Sequence, residues 1–204
     1  MRSILFVCAM EKEGKQIAEK LNMKEIAENL FENKEENKRI LITGIGKQVT
    51  AINLTQYLCN NPKPDLIINV GYAGSTDIPI GKWVNISKAY NYEWGIPGEE
   101  KYVMDVGGSQ ELETLDNVDI EKVECYSSES FVTETNIEGH VAFDMELHSI
   151  SLICDLNKIS LLALKKISDN LNLGDYYNNL NKEEVFELKI KKTFQSKGLL
   201  FCSK

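Results

Sequence analysis

Residues 39–75 read RILITGIGKQVTAINLTQYLCNNPKPDLIINVGYAGS. RILITG (39–44) opens on an apolar run suited to a buried strand. Gly44 and Gly46 then turn the chain into a helix carrying Val49, Ile52, Asn53 and Tyr57. Pro62 and Pro64 stop that helix, because proline lacks the amide hydrogen that helix needs. DLIINV (65–70) follows as another buried strand. The same alternation precedes it: SILFVC (3–8) reads as a strand, and EKEGKQIAEKL spaces Ile17, Ala18 and Leu21 along one helical face. Strands separated by single helices at this spacing predict an α/β domain on a largely parallel sheet.

Downstream, GKWVNISKAY (81–90), 121–126, 139–144 and 159–167 read as further strands, with a helix from Met145 to Leu156 between the last two. Residues 33–38 (NKEENK) read as a turn, and 95–118 as loop. The tail predicts a helix capped by Asn181, with Val185, Phe186, Leu188, Ile190 and Phe194 on its apolar face. With no internal repeat, low-complexity tract or linker, one domain spanning 1–204 is expected.

The 204 residues are 43% hydrophobic and 26% charged, which excludes a disordered or fibrous chain. Thirty-one acidic against 23 basic side chains give a net charge of −8. Polynucleotide binding draws its affinity from phosphate contacts and so is not expected, whereas a single nucleoside is not excluded. Five cysteines, odd in number and without a CxxC pair, argue for a reducing compartment and against a disulfide framework. The apolar stretch near the N-terminus is too short for a signal peptide core, and no segment approaches a membrane span. A cytoplasmic protein is expected.

TGIGK (43–47) sits where a dinucleotide fold places its phosphate loop, but the third glycine of that fingerprint falls on Val49. Lys47 is followed by Gln48, so it is no P-loop either, and the segment reads as a tight strand-to-helix turn. His140, Asp144 and His148 would share one face of a continuous helix. HVAF looks extended, however, so both histidines read as structural or exposed. No GxSxG elbow is present. What remains is a set of acids at strand ends: Glu11 and Glu13 after the first strand, Glu146 after 139–144, and Asp169 after 159–167. In an open α/β sheet ligands bind outside the carboxyl ends of strands. Taken alone, each acid is more often a solvated helix-start residue favoured by the helix dipole.

AMEKE (9–13), TGIGK (43–47), INVGYAGS (68–75), SSESFV (127–132), FDMELHSIS (143–151) and KISD (166–169) occur in one collinear order. Together they resemble the nucleoside phosphorylase superfamily, and within it the bacterial nucleosidases that hydrolyse 5′-methylthioadenosine and S-adenosylhomocysteine. The resemblance implies a three-layer α/β/α sandwich around a mixed, mostly parallel twisted sheet, and a homodimer. It assigns Glu13 to water activation, Glu146 to the ribose hydroxyls with Met145 beneath the sugar, and Asp169 to protonation of the purine. Ser168 would orient Asp169, Phe131 would stack on the base, and Val132 would contact its edge. Tyr72, Ala73 and Gly74 fall by the sugar, and Lys165 near the water and Glu146.

The implied reaction builds positive charge on the sugar and releases a poor leaving base, so carboxylates suit it. It needs no metal or organic cofactor. Phosphate-using relatives carry an arginine at the end of the third strand, where this chain has Asn69, so the resemblance favours a hydrolase. A phosphate-dependent phosphorylase and a non-catalytic nucleoside-binding protein remain the alternatives. Tyr72 stands where relatives have a small hydroxylated residue, Ser128 replaces a usual glycine, and YNYEWG (90–95) replaces a histidine–aspartate tag. Residues 31–39 are expected to lack a hairpin, and 95–122 a full helix.

Overall fold

The computed structural model describes residues 2–95, 109–111 and 120–180. Its first strand, β1 (Ile4–Cys8), is buried throughout and leads into α1 (Glu11–Lys20). A hairpin of β2 (Lys24–Ala27) and β3 (Leu30–Asn33) then precedes β4 (Lys38–Ile42). Strands β3 and β4 also pair antiparallel around residues 34–37, so the expectation that 31–39 lack a hairpin is corrected. Lys24–Ala27 is exposed along its whole length, so it lacks the alternation that marks a half-buried strand.

Helix α2 (Lys47–Asn60) and β5 (Leu66–Gly74) follow. Strand β5 runs on to Gly74, so Asn69 lies inside it rather than at its end. Then come β6 (Trp83–Asn91), β7 (Ser109–Glu111), β8 (Glu121–Ser127), β9 (Val141–Asp144) and α3 (Leu147–Asn157). The chain continues through β10 (Ser160–Asp169) into α4 (Leu173–Leu180). Strand β7 falls within the stretch expected to be loop; the rest of 96–119, the tail helix from Asn181, and Cys202 lie outside the described residues. Helix α4 was not expected from the sequence.

Strands β4, β1, β5 and β10 pair in parallel in that order. Strand β10 joins antiparallel to β6, which continues in parallel to β8 and β9. The sheet is therefore mixed. It is also not open: β9 returns to pair with β5 at a single position, Gly74 opposite Phe143. Strands β5, β10, β6, β8 and β9 thus form a closed ring. Helices α2 and α3 pack Leu54, Tyr57, Leu58, Leu147, Ile150 and Ile153 into one core, and α1 packs Ile17 and Ala18 into the other. Each fully buried aliphatic side chain contributes about 1.5–3 kcal/mol, so these two cores hold the sheet in its curled form. Among the described residues no helix is long and apolar enough to cross a membrane.

Ring closure positions the functional groups. Gly74 is flanked by Phe143 on β9 and by Asp169 on β10. Since β5 and β9 are antiparallel yet touch only near their last residues, their carboxyl ends converge with those of β1 and β10 on one rim. A methyl group on Gly74 would lie 2.7 Å from Asp169 Oδ1 and 3.0 Å from Leu171 Cδ2. Gly74→Ala should therefore cost about 1–3 kcal/mol through overpacking. Its denaturation midpoint should drop; an unchanged midpoint would show that the rim has slack.

Candidate active site

A cleft with about 450 Å³ of empty space, its open mouth included, lies at that rim. Glu13, Glu146 and Asp169 all line it, from three separate segments. Each is nearly inaccessible, at 2%, 6% and 1% exposure, so desolvation governs their chemistry.

Glu13 sits in the first turn of α1. The N–H groups of Met10 and Tyr72 donate to its two oxygens at 2.9 and 3.1 Å. Burial raises its pKa above the usual glutamate value, and the Met10 N–H, Lys165 and the Tyr72 N–H oppose that rise. Glu11, two residues earlier, is exposed and paired with Lys15, outside the cleft. The helical period separates them: only one of the two acids can face the rim.

Glu146 is the N-cap residue of α3, yet its carboxylate caps a different helix. The Gly46 N–H, at the start of α2, donates to Glu146 Oε1 at 2.9 Å. Gly46 reaches this position with φ +105, a conformation that favours glycine. Lys47 N–H donates likewise to Glu129 at 3.0 Å. TGIGK is thus a phosphate-loop-like helix start whose anions are the protein's own carboxylates. Burial and then the adjacent Asp144 push the Glu146 pKa up, with Lys165 and the Gly46 N–H pulling against them.

Asp169 closes β10. Ser168 Oγ donates to Oδ2 at 2.7 Å and Leu171 N–H to Oδ1 at 3.0 Å. Burial is the largest effect and raises its pKa above the usual aspartate value. A carboxyl held this way keeps its proton to a higher pH than a surface aspartate.

Tyr72, Ala73, Gly74, Phe131, Met145 and Ser168 also line the cleft. Val132 lies in an adjoining hollow shared with Phe131, Met145 and Asp169. Burial and then Glu13 push the Tyr72 phenol up to about 12, so it stays neutral. Lys165 lies behind the wall rather than on it. It is 1% exposed and its Nζ bonds Asp144 Oδ2 at 2.7 Å. Burial alone would lower its pKa, but Asp144 and Glu146 more than offset that and leave it raised. A methyl group on Gly71 would lie 3.0 Å from Glu13 Oε1 and 3.6 Å from Lys165 Nζ. That residue therefore keeps the two charges close.

Asp144 also accepts from Ser127 Oγ at 2.5 Å and Leu147 N–H at 3.0 Å, fixing the turn that carries Met145 and Glu146. Asn69 is buried and donates to Val7 O at 3.0 Å, outside the cleft lining. His140 is exposed beside Glu121, His148 is buried on α3, and Asp144 is committed to Lys165. Among the described residues no three His, Cys, Asp or Glu side chains form a metal-sized group.

Sequence reasoning missed Tyr176. It lines the cleft from α4, meets Phe131 edge-on at 5.5 Å, and donates from its hydroxyl to Met10 Sδ at 3.5 Å. Burial, Glu13, Glu146 and Asp169 all push its phenol upward, to about 12. The spacing of Leu173, Tyr176, Tyr177 and Leu180 is the signal that could have found its helix. Ala9, Ile45 and Phe143 also line the cleft without having been singled out.

The sequence model of the phosphorylase superfamily matches residues 3–195. No curated protein matches the chain. Among solved structures, a mutant of the Helicobacter pylori nucleosidase MTAN, with 5′-methylthioadenosine in its active site, superposes with TM-score 0.80 at 16% identity. That match covers 97% of this chain and 99% of that one. Arabidopsis thaliana 5′-methylthioadenosine nucleosidase gives TM-score 0.80 at 20% identity, over 96% of each chain. A futalosine hydrolase mutant from Helicobacter pylori gives TM-score 0.79 at 16% identity, covering 97% of this chain and 100% of that one. At these identities the likeness is one of fold.

Proposed function

The chain belongs to the phosphorylase superfamily, and from that membership we propose that it is a nucleosidase hydrolysing the N-glycosidic bond of an adenine nucleoside. The observation that carries this reading is the convergence of Glu13, Glu146 and Asp169 on one cleft. In the proposed mechanism Asp169, whose pKa burial raises, gives its proton to the leaving purine, with Ser168 holding the carboxyl in place. Phe131 stacks on the base and the Val132 backbone meets its edge. Glu146 binds the ribose hydroxyls above Met145; burial and Asp144 push its pKa up to about 8, and its ionised form, favoured by Lys165 and the Gly46 N–H, stabilises the cationic sugar of the transition state. Glu13, held by two backbone N–H groups, orients and deprotonates the attacking water.

Hydrolysis is favoured over phosphorolysis by charge. A phosphate nucleophile needs cationic donors. No lysine or arginine stands among the described lining residues, whereas four carboxyl groups do: Glu13, Asp144, Glu146 and Asp169. The neighbours named for methylthioadenosine support an adenine nucleoside as substrate. We read the chain as a single three-layer α/β/α domain without metal or organic cofactor, working in the cytoplasm as a homodimer. The exposed stripe of Ile45, Val49 and Ile52 supports the dimer. Incubation with a panel of purine nucleosides, with and without phosphate, tests the reaction. Free adenine and free sugar should appear irrespective of phosphate. Strictly phosphate-dependent cleavage would make it a phosphorylase, and tight binding without cleavage would leave a binding protein.

A further inference from the structure

Once base, ribose hydroxyls and water are assigned, the described cleft residues left for the sugar's 5′ end include Met10, Ile45, Tyr72 and Tyr176. Two carry phenol hydroxyls. Tyr176 is held over the cleft by its helix: Lys12 Nζ donates to Leu180 O, and Asn179 Nδ2 donates to Ser168 O at 3.0 Å. The α4 helix has no buried residue of its own, so these bonds and the Phe131 contact fix its place. The Tyr176 hydroxyl points at the thioether of Met10, a weak acceptor 3.5 Å away. Tyr176 lines the same cleft as Glu13, Glu146 and Asp169, and all three stand close enough to influence its phenol.

From this arrangement we infer that Tyr176 is a specificity-determining residue that donates a hydrogen bond to the 5′ oxygen of a nucleoside with a small, polar 5′ group. The inference rests on the nucleosidase reading and narrows it. A substrate oxygen offers this phenol a stronger acceptor than the sulfur it now faces, and exchange of one for the other accompanies binding. A 5′-methylthio group would repeat the weak sulfur contact and add bulk against α4. A 5′-methyl group would offer no acceptor at all.

The test compares kcat/KM for adenosine, 5′-deoxyadenosine and 5′-methylthioadenosine in the full-length protein and in its Tyr176→Phe and Tyr176→Met variants. The unaltered protein should favour adenosine over 5′-deoxyadenosine by about tenfold, and Tyr176→Phe should bring that ratio close to one. Tyr176→Met, which keeps bulk without a donor, should give the same ratio as Tyr176→Phe. The inference is overturned, with the nucleosidase reading intact, if 5′-methylthioadenosine is the best of the three substrates in the unaltered protein. It is equally overturned if Tyr176→Phe leaves the adenosine to 5′-deoxyadenosine ratio unchanged. Release of adenine from none of the three would instead overturn the nucleosidase reading itself, and this inference with it.

Discussion

Asp169→Asn is expected to lower adenine release by roughly a hundred- to ten-thousand-fold, the usual contribution of a positioned general acid. The variant should still fold and bind nucleoside. An asparagine is nearly isosteric, and its amide oxygen can accept the Leu171 N–H that now reaches Oδ1 at 3.0 Å. It cannot supply the proton that an adenine leaving group requires. The pH profile sharpens the test. Because burial raises the Asp169 pKa, the proton is present below that raised value and is lost as pH rises through it. Activity of the unaltered protein should therefore fall on the alkaline side, and the residual activity of the variant should lack that limb. On the acid side, activity should fall as Glu13 takes up a proton and ceases to act as a base. Calorimetry with adenine checks binding, and release of free base checks turnover. Undiminished turnover would remove Asp169 from the mechanism.

The acids were legible in the sequence because strand ends are. Glu13, Glu146 and Asp169 each follow a recognisable apolar run, and short-range pattern is what a sequence displays most clearly. Sequence pattern could not by itself separate Glu13 from Glu11; the turn of α1 does that, burying one and leaving the other to Lys15. The ring closure was illegible. It depends on one pairing, Gly74 with Phe143, between segments about seventy residues apart, and nothing local to either announces the other. The β2–β3 hairpin escaped for a different reason. Its outer strand is wholly exposed, and its turn uses Asn29 at φ +61 without the glycine that would flag a tight turn. Tyr176 lies on an eight-residue helix whose place comes from side-chain tethers, so its contacts had no counterpart in hydrophobic pattern.

The wall behind the acids is expected to be as sensitive as the acids themselves. Lys165→Met should destabilise the protein by about 3–5 kcal/mol, because removing one partner strands a buried opposite charge. Against a typical total of about 5–15 kcal/mol that is a large share. Asp144 is 6% exposed, and its remaining donors, Ser127 Oγ and Leu147 N–H, are dipoles rather than charges. Glu146 loses the same cation and would then sit beside a second carboxylate with only Gly46 N–H to support its charge. Its pKa should climb further, so whatever activity survives should need a higher pH. The paired lysine has a raised folded pKa, so its contribution is complete below the unfolded lysine value of about 10.4 and fades only as pH rises through the folded one. Denaturant midpoints taken near neutral pH therefore measure the whole effect. The companion variant separates charge from packing. Adding Asp144→Asn to Lys165→Met removes the orphaned charge, keeps an acceptor for Leu147 N–H, and should recover more than half of the lost stability. A double variant as unstable as the single one would mean that Lys165 acts by filling space between β10 and β5. The buried pair would then have no part in favouring the ionised form of Glu146.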